Sequence, residues 1–337
     1  MWTLAAACAV ALGVVACGGG GGGGGSPAFT TPTQQADARN GNYQLYAADG
    51  QLYTLNLDFD AGAYRLAGGG LDTNGSFVNK NASQGMYAFD DATWAGALGS
   101  PRFQLLGQTL VGGIALPSGT VPFIASRSFL TTLADAAGTY HFFGRVVDMA
   151  GPEQSIVTHG ELLASGTMRT CNDPAPFTIA ACPLASISTS TLTVQGDEII
   201  ADPGGASQVS MRVVQIGNSK VLLASQAVTA TAKALLVGVP DTGAFAAGAF
   251  EGHNTNGQWA VDFNVGPGAY SANWAGPGGN FIRPGTASAG PLAGLVTVDG
   301  GVGEGMFLAA RTPDLLVMTS APGNLSWPGY MEIGLRR

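Results

Sequence analysis

Gly41-Asn42-Tyr43-Gln44-Leu45-Tyr46-Ala47-Ala48-Asp49-Gly50-Gln51-Leu52-Tyr53-Thr54-Leu55-Asn56-Leu57-Asp58-Phe59 reads as two strands joined by a turn. After the turn, Tyr53, Leu55, Leu57 and Phe59 alternate with Thr54, Asn56 and Asp58. Side chains alternate across a pleated strand, so this spacing gives one apolar and one wet face. Asp49-Gly50 supplies residues that tolerate the positive φ of a type I′ hairpin turn. The same alternation recurs at Leu192 and Val194, at Val209, Met211 and Val213, at Trp259, Val261, Phe263 and Val265, and at Leu315 and Val317. Asn74-Gly75, Asn256-Gly257 and Asp299-Gly300 are further turn candidates. Helical spacing is confined to 128–137 and to 226–236, where a helical turn or connector is expected. The expected fold class is all-β, with antiparallel β-sandwich or β-barrel modules, Gly-rich hairpin turns and very little helix.

An internal echo suggests modules. Gly41-Asn42-Tyr43, Asp49-Gly50-Gln51-Leu52, an alternating strand and Gly62-Ala63-Tyr64 are matched by Gly248-Ala249-Phe250, Asn256-Gly257-Gln258-Trp259, another alternating strand and Gly268-Ala269-Tyr270. Gly138-Thr139-Tyr140 opens a third stretch in the same way. Expected units are 40–134, 135–237 and 238–337, the last related to the first, either as separate folders or as sheets of fewer domains. A Gly-aromatic opening strand followed by up-and-down hairpins is similar to the start of lipocalin-like barrels.

The first 25 residues have a different character. An apolar run, Leu4 to Val15, leads into Val14-Val15-Ala16-Cys17 and eight consecutive glycines, Gly18 to Gly25. The run has the length of a signal-peptide core and is too short for a bilayer span, which needs about 20 residues. The motif resembles the lipobox of bacterial lipoproteins, in which Leu, a small residue and Gly or Ala precede Cys; Val14 stands at the Leu position, and the first basic side chain is Arg39. The likeness extends to the uncharacterised Gly-rich lipoproteins of Gram-negative bacteria. It implies a signal peptide over 1–16, lipidation of Cys17, and a membrane partner reached through that anchor. Asp after the Cys favours inner-membrane retention in that family, so Gly18 implies the outer membrane. Residues 17–39 form the lipidated Cys and a flexible Gly-rich linker, because glycine loses the most backbone entropy on ordering.

Export to an oxidising compartment makes a disulfide the expected state of Cys171 and Cys182, around a loop containing Asn172-Asp173-Pro174. A metal would need more ligands than the one nearby histidine, His159. The net charge of −8, with no basic cluster, excludes a phosphate-backbone footprint and hence nucleic acid. Hydrophobic residues make up 46% of the chain, so the body is expected to be ordered.

No common catalytic motif is present: no G-x-S-x-G, S-x-x-K or H-E-x-x-H, and no P-loop. Among the three histidines, His141 is expected on a strand and His159 beside a carboxylate. His253, next to an Asn-Gly turn, is a candidate ligand contact. Asp58 and Asp60 fall on the wet face of their strand. Trp94, Trp259, Trp274 and Trp327 could line a sugar or hydrophobic-ligand platform; Trp259 belongs to an apolar face, whereas Trp274 and Trp327 stand in Gly- and Pro-rich, loop-like sequence and are candidate exposed ligand contacts. These features lead to an expected outer-membrane-anchored, non-enzymatic structural or binding module without a cofactor. Its partner would be an envelope protein, a glycan or a small hydrophobic ligand. The alternative is a lipocalin-like carrier, with a cavity lined by residues such as Phe142, Val146 or Phe263.

Overall fold

The computed structural model describes residues 37–336 apart from 91–100, 149–150, 174, 176, 205–207, 230, 244–247, 267 and 277–278. The lipobox, Cys17, the linker up to residue 36 and Trp94 lie outside the described residues. The first group of strands is β1 (Gly41–Ala47), β2 (Leu52–Asp58), β3 (Ala63–Gly68), β4 (Leu71–Asn81), β5 (Met86–Phe89), β6 (Arg102–Leu106), β7 (Thr109–Leu116) and β8 (Gly119–Ser126). A short helix, α1 (Leu133–Ala136), precedes β9 (Gly138–Asp148), β10 (Gln154–Leu163), β11 (Thr167–Cys171), β12 (Ile187–Gln195), β13 (Glu198–Asp202), β14 (Val209–Ile216), β15 (Ser219–Ala227) and β16 (Ala232–Pro240). The last group is β17 (Gly248–Asn254), β18 (Trp259–Gly266), β19 (Ala269–Gly276), β20 (Gly279–Ala289), β21 (Leu295–Asp299), β22 (Met306–Arg311), β23 (Leu315–Ser320) and β24 (Met331–Arg336).

Each group closes on itself as an antiparallel barrel: β1 pairs with β8, β9 with β16 and β17 with β24. Every other pairing joins neighbours in sequence, so all three barrels are up-and-down and none is a sandwich. Closure satisfies the edge strands that an open sheet would leave exposed.

The hairpins show why these residues turn where they do. Gly50 sits at φ 77°, and its N–H donates to the Ala47 carbonyl at 2.9 Å. The Asp49 carboxylate locks the turn by accepting from the Gln51 N–H at 2.9 Å and the Tyr53 hydroxyl at 2.6 Å. Asn256-Gly257 likewise joins β17 to β18, with Gly257 at φ 73°. Two expectations are corrected. Asn74-Gly75 lies inside β4, paired with Arg65 and Tyr64, because the chain already reverses at Gly69 and Gly70, both with positive φ. Residues 226–236 form the β15–β16 hairpin, since ladders on both sides of β16 outweigh local helix propensity.

In the first barrel the inward faces of the strands meet as a dense set of rings. Phe103 lies 4.9 Å from Phe89, 5.2 Å from Tyr87 and 5.6 Å from Phe77 between ring centres, while Tyr64 meets Phe89 at 4.9 Å. Outward residues of all three barrels form a continuous apolar core between them, including Tyr46, Val111 and Ile124 of the first, Phe143, Val214 and Val237 of the second, and Leu308, Val317 and Ile333 of the third. The contact has a repeating sense. The first strand of each barrel lies against the seventh of the next: β1 on β15, β9 on β23 and β17 on β7. Close approach is built in, because a Cβ on Gly113 would stand 2.3 Å from the His253 ring, and one on Gly50 would stand 2.7 Å from the Lys233 backbone.

Candidate functional site: an open lumen in the second barrel

Alternation along the strands of the second barrel directs Phe142, Ile156, Thr158, Met168, Thr170, Ser190, Ala201, Met211, Leu222, Ala224 and Leu236 inward. They line a cavity of about 480 Å³, within the range of small-molecule sites. Phe142 forms its floor. The ring fits there because Gly238, its partner on β16, and Gly160, diagonal to it on β10, carry no side chain: a Cβ on Gly160 or Gly238 would come within 2.8 or 2.9 Å of it. Below the floor, Tyr140, Leu162, Leu192, Ile199 and Val213 pack with Ala136 of α1 and close that end. Thr132 caps α1 by accepting the Asp135 N–H at 3.0 Å, and the Tyr140 hydroxyl donates to the Ala136 carbonyl at 2.7 Å. At the opposite end, Asn172, Pro203, Val209, Gln226 and Val228 surround a mouth where Ile156 and Val228 are 37% and 44% exposed.

The lumen has two kinds of wall. Phe142, Met211, Leu222, Ala224 and Leu236, from β9 and β14–β16, make an apolar side. Across from it, Thr158, Thr170 and Ser190 run diagonally over the adjacent strands β10, β11 and β12. The Thr158 hydroxyl donates to the Cys171 carbonyl. The hydroxyls of Thr170 and Ser190 have no protein partner among the described residues.

The β11–β12 connection, 172–186, starts at the mouth and folds back over the outer wall. Cys171 and Cys182 are joined by a disulfide that packs with Ile179. The Ile179 N–H donates to Nδ1 of His159 at 3.3 Å, on the outward face of β10. Nε2 of His159 stands 3.3 Å from one Asp241 oxygen, and Nε2 of His141 stands 3.4 Å from the other and 3.0 Å from the Ala293 carbonyl of the third barrel. Burial pushes His141 below its ordinary pKa, against the pull of Asp241. This cluster seals the junction of the second and third barrels. Among the described residues, no group of three or more His, Cys, Asp and Glu is placed to hold a metal ion, and no helix is long and apolar enough to cross a membrane.

The sequence-predicted contacts lie elsewhere. His253 belongs to β17 rather than to a loop and is buried between barrels: its Nε2 accepts the Arg102 N–H at 3.1 Å and its ring meets Trp259 at 4.8 Å. Desolvation, with Arg102 nearby, pushes its pKa down to about 3. Trp274 lies within β19 and is 2% exposed, packed with Phe250 and Tyr270 inside the third barrel, because strand pairing extends into the Gly-rich stretch read as a loop. Trp327 is half-buried on a crevice of about 690 Å³ where the three barrels meet, beside Asp49, Arg145, Glu153 and Asn256. Of the residues expected around a cavity, Phe142 lines the lumen and Val146 packs on Ala232 and Ala234. Phe263 is on β18, and its side chain lies outside the described set. Thr158, Met168, Thr170, Ser190, Leu222 and Ala224 were not singled out by sequence; inward parity on a closed barrel is the signal that finds them.

No family model matches the chain, and no curated protein does. Among solved structures, a protein of unknown function from the DUF3598 family of Nostoc punctiforme PCC 73102 aligns at 11% identity over 88% of this chain and 94% of its own, with a TM-score of 0.20. The isotype 1 transferrin binding protein B of serogroup B Neisseria meningitidis aligns at 10% identity over 86% of this chain and 66% of its own, with a TM-score of 0.23. The DNA polymerase III β subunit of Thermotoga maritima aligns at 9% identity over 91% and 94%, with a TM-score of 0.16. Likeness at this level carries no argument about what this chain does.

Proposed function

We propose that this protein is a non-enzymatic binding module of the cell envelope whose second barrel holds a small, largely apolar molecule. The observation that carries the reading is the open lumen of about 480 Å³ behind a rim of exposed apolar side chains. An apolar guest there would release water from both surfaces, at roughly 25 cal/mol for each Å² buried. The first barrel offers no equivalent volume among the described residues, since its rings occupy the interior. The N-terminal motif supports a lipid tether on Cys17 at the outer membrane, and feeding with radiolabelled palmitate tests it: label should appear and be lost in Cys17→Ala.

Titration with N-phenylnaphthylamine, an uncharged dye that brightens in apolar surroundings, tests the lumen. The dye should brighten with saturable binding to the full chain, and Ala224→Phe, which places a ring in the cavity, should abolish the signal while leaving the fold intact by circular dichroism. A signal that survives Ala224→Phe would remove the lumen as the site.

A further inference from the structure

We infer that the guest of the second barrel is an uncharged amphiphile, an apolar body carrying a hydroxyl, carbonyl or similar neutral polar group that meets Thr170 and Ser190. This rests on the lumen reading above and narrows it to a ligand class. The lining contains no Asp, Glu, Lys, Arg or His. A carboxylate or ammonium drawn into it would give up its hydration with no opposite charge to meet, at a cost of several kcal/mol. A neutral polar group has partners waiting: the unpartnered hydroxyls of Thr170 and Ser190 stand on diagonal positions of neighbouring strands and face the cavity opposite an apolar wall. A wholly apolar guest would leave those hydroxyls without the water that now reaches them, so the stripe favours a molecule with one polar side.

The mouth reinforces the choice against anions. Among the described residues of the connections around it stand Asp148, Glu153, Asp173 and Asp202, and none of those described residues is Lys or Arg. A fatty-acid-like guest leaving its carboxylate at the rim would therefore meet carboxylates, and the guanidinium of Arg145 there is already paired with Glu153. Of the rim acids, Glu153 is charge-paired, with Arg145 at 2.6 Å, whereas Asp148, Asp173 and Asp202 accept from neutral donors; an ammonium head is disfavoured inside the lumen, where no acid lines the wall.

Three molecules with one dodecyl chain and different heads separate the possibilities: dodecanol, dodecanoate and dodecylammonium, each competed against bound N-phenylnaphthylamine at neutral pH and below its aggregation threshold. Dodecanol should displace the dye at a concentration at least about tenfold below either charged analogue. In Thr170→Val with Ser190→Ala, the dodecanol affinity should fall by about three- to tenfold relative to that for the dye, the range expected for losing a neutral hydrogen bond. The isosteric single variant Thr170→Val gives the same direction should the double variant fold poorly. A charged analogue binding within about threefold of dodecanol, or a dodecanol affinity indifferent to both variants, overturns the inference while the lumen remains a binding site. If none of the three competes although the dye binds in the lumen, the inference likewise falls alone. If the dye does not bind, or Ala224→Phe leaves it bound, the lumen reading falls and takes the inference with it.

Discussion

The first and second barrels share a topology and differ in what fills them. Both have eight strands in sequence order, closed first on last. In the first, Tyr64, Phe77, Tyr87, Phe89 and Phe103 project into the interior and interlock. In the second, the inward set is weighted towards Thr, Ser, Ala, Met and Gly, and a void remains above Phe142. An eight-stranded barrel is just wide enough either to be filled by side chains or to hold one small ligand. Which outcome occurs is decided by side-chain volume, so the first barrel is filled and the second hollow on the same frame.

Substitutions can break this contrast, and the largest effect is expected in the filled barrel. Phe103→Ala removes a ring in contact with three others and should cost about 3–5 kcal/mol in chemical denaturation. Next, Cys171→Ser with Cys182→Ser should cost about 3 kcal/mol by the same measurement, since the bond closes a loop with a sequence separation of 11. It should also weaken dye binding, because the 172–186 connection is no longer held against the outer wall. A matched pair of insertions then asks whether one interior is full and the other empty. Ala125→Phe, on an inward position of the first barrel, should destabilise by about 1–3 kcal/mol, whereas Ala224→Phe in the second should change stability by less than about 1 kcal/mol.

The smallest effect concerns how the barrels are joined. Nε2 of His253 accepts an N–H, so it is unprotonated in the folded state, and its pKa is lowered to about 3 from 6.5. The unfolded chain takes up that proton first as pH falls. Stability from this group is therefore full above about pH 6.5 and declines below it, by about 1 kcal/mol on reaching about pH 5.5. Thermal melts of wild type and His253→Gln over that interval should converge as pH drops; parallel curves would remove His253 as the source.

The sequence carried the all-β class because Asp49-Gly50 and Asn256-Gly257 are local turn chemistry and Tyr53, Leu55 and Leu57 alternate cleanly. It misled where local and tertiary signals compete. Asn74-Gly75 is a good turn pair, but the adjacent glycines had already turned the chain, and Trp274 resembles a loop residue only until β19 finds β18 and β20. The lumen was the least legible feature. β7 is buried on nearly all positions because one face lines its barrel and the other meets a neighbouring barrel, so alternation fades where two interiors compete for one strand. Nor does a hydrophobicity pattern distinguish a filled interior from a hollow one: Leu222 and Leu235 look alike in sequence, yet one borders a cavity and the other joins the inter-barrel core.

The seating of first strand on seventh has a consequence for assembly. Such a joint is heterologous: a socket on one unit accepts a different surface of the next, and units of this kind added indefinitely make a fibre unless the rotation brings the last back to the first. Here β17 returns to β7, so three units on one chain consume every plug and every socket. Among the described residues the arrangement is a ring that finishes itself, each first strand seated on a seventh.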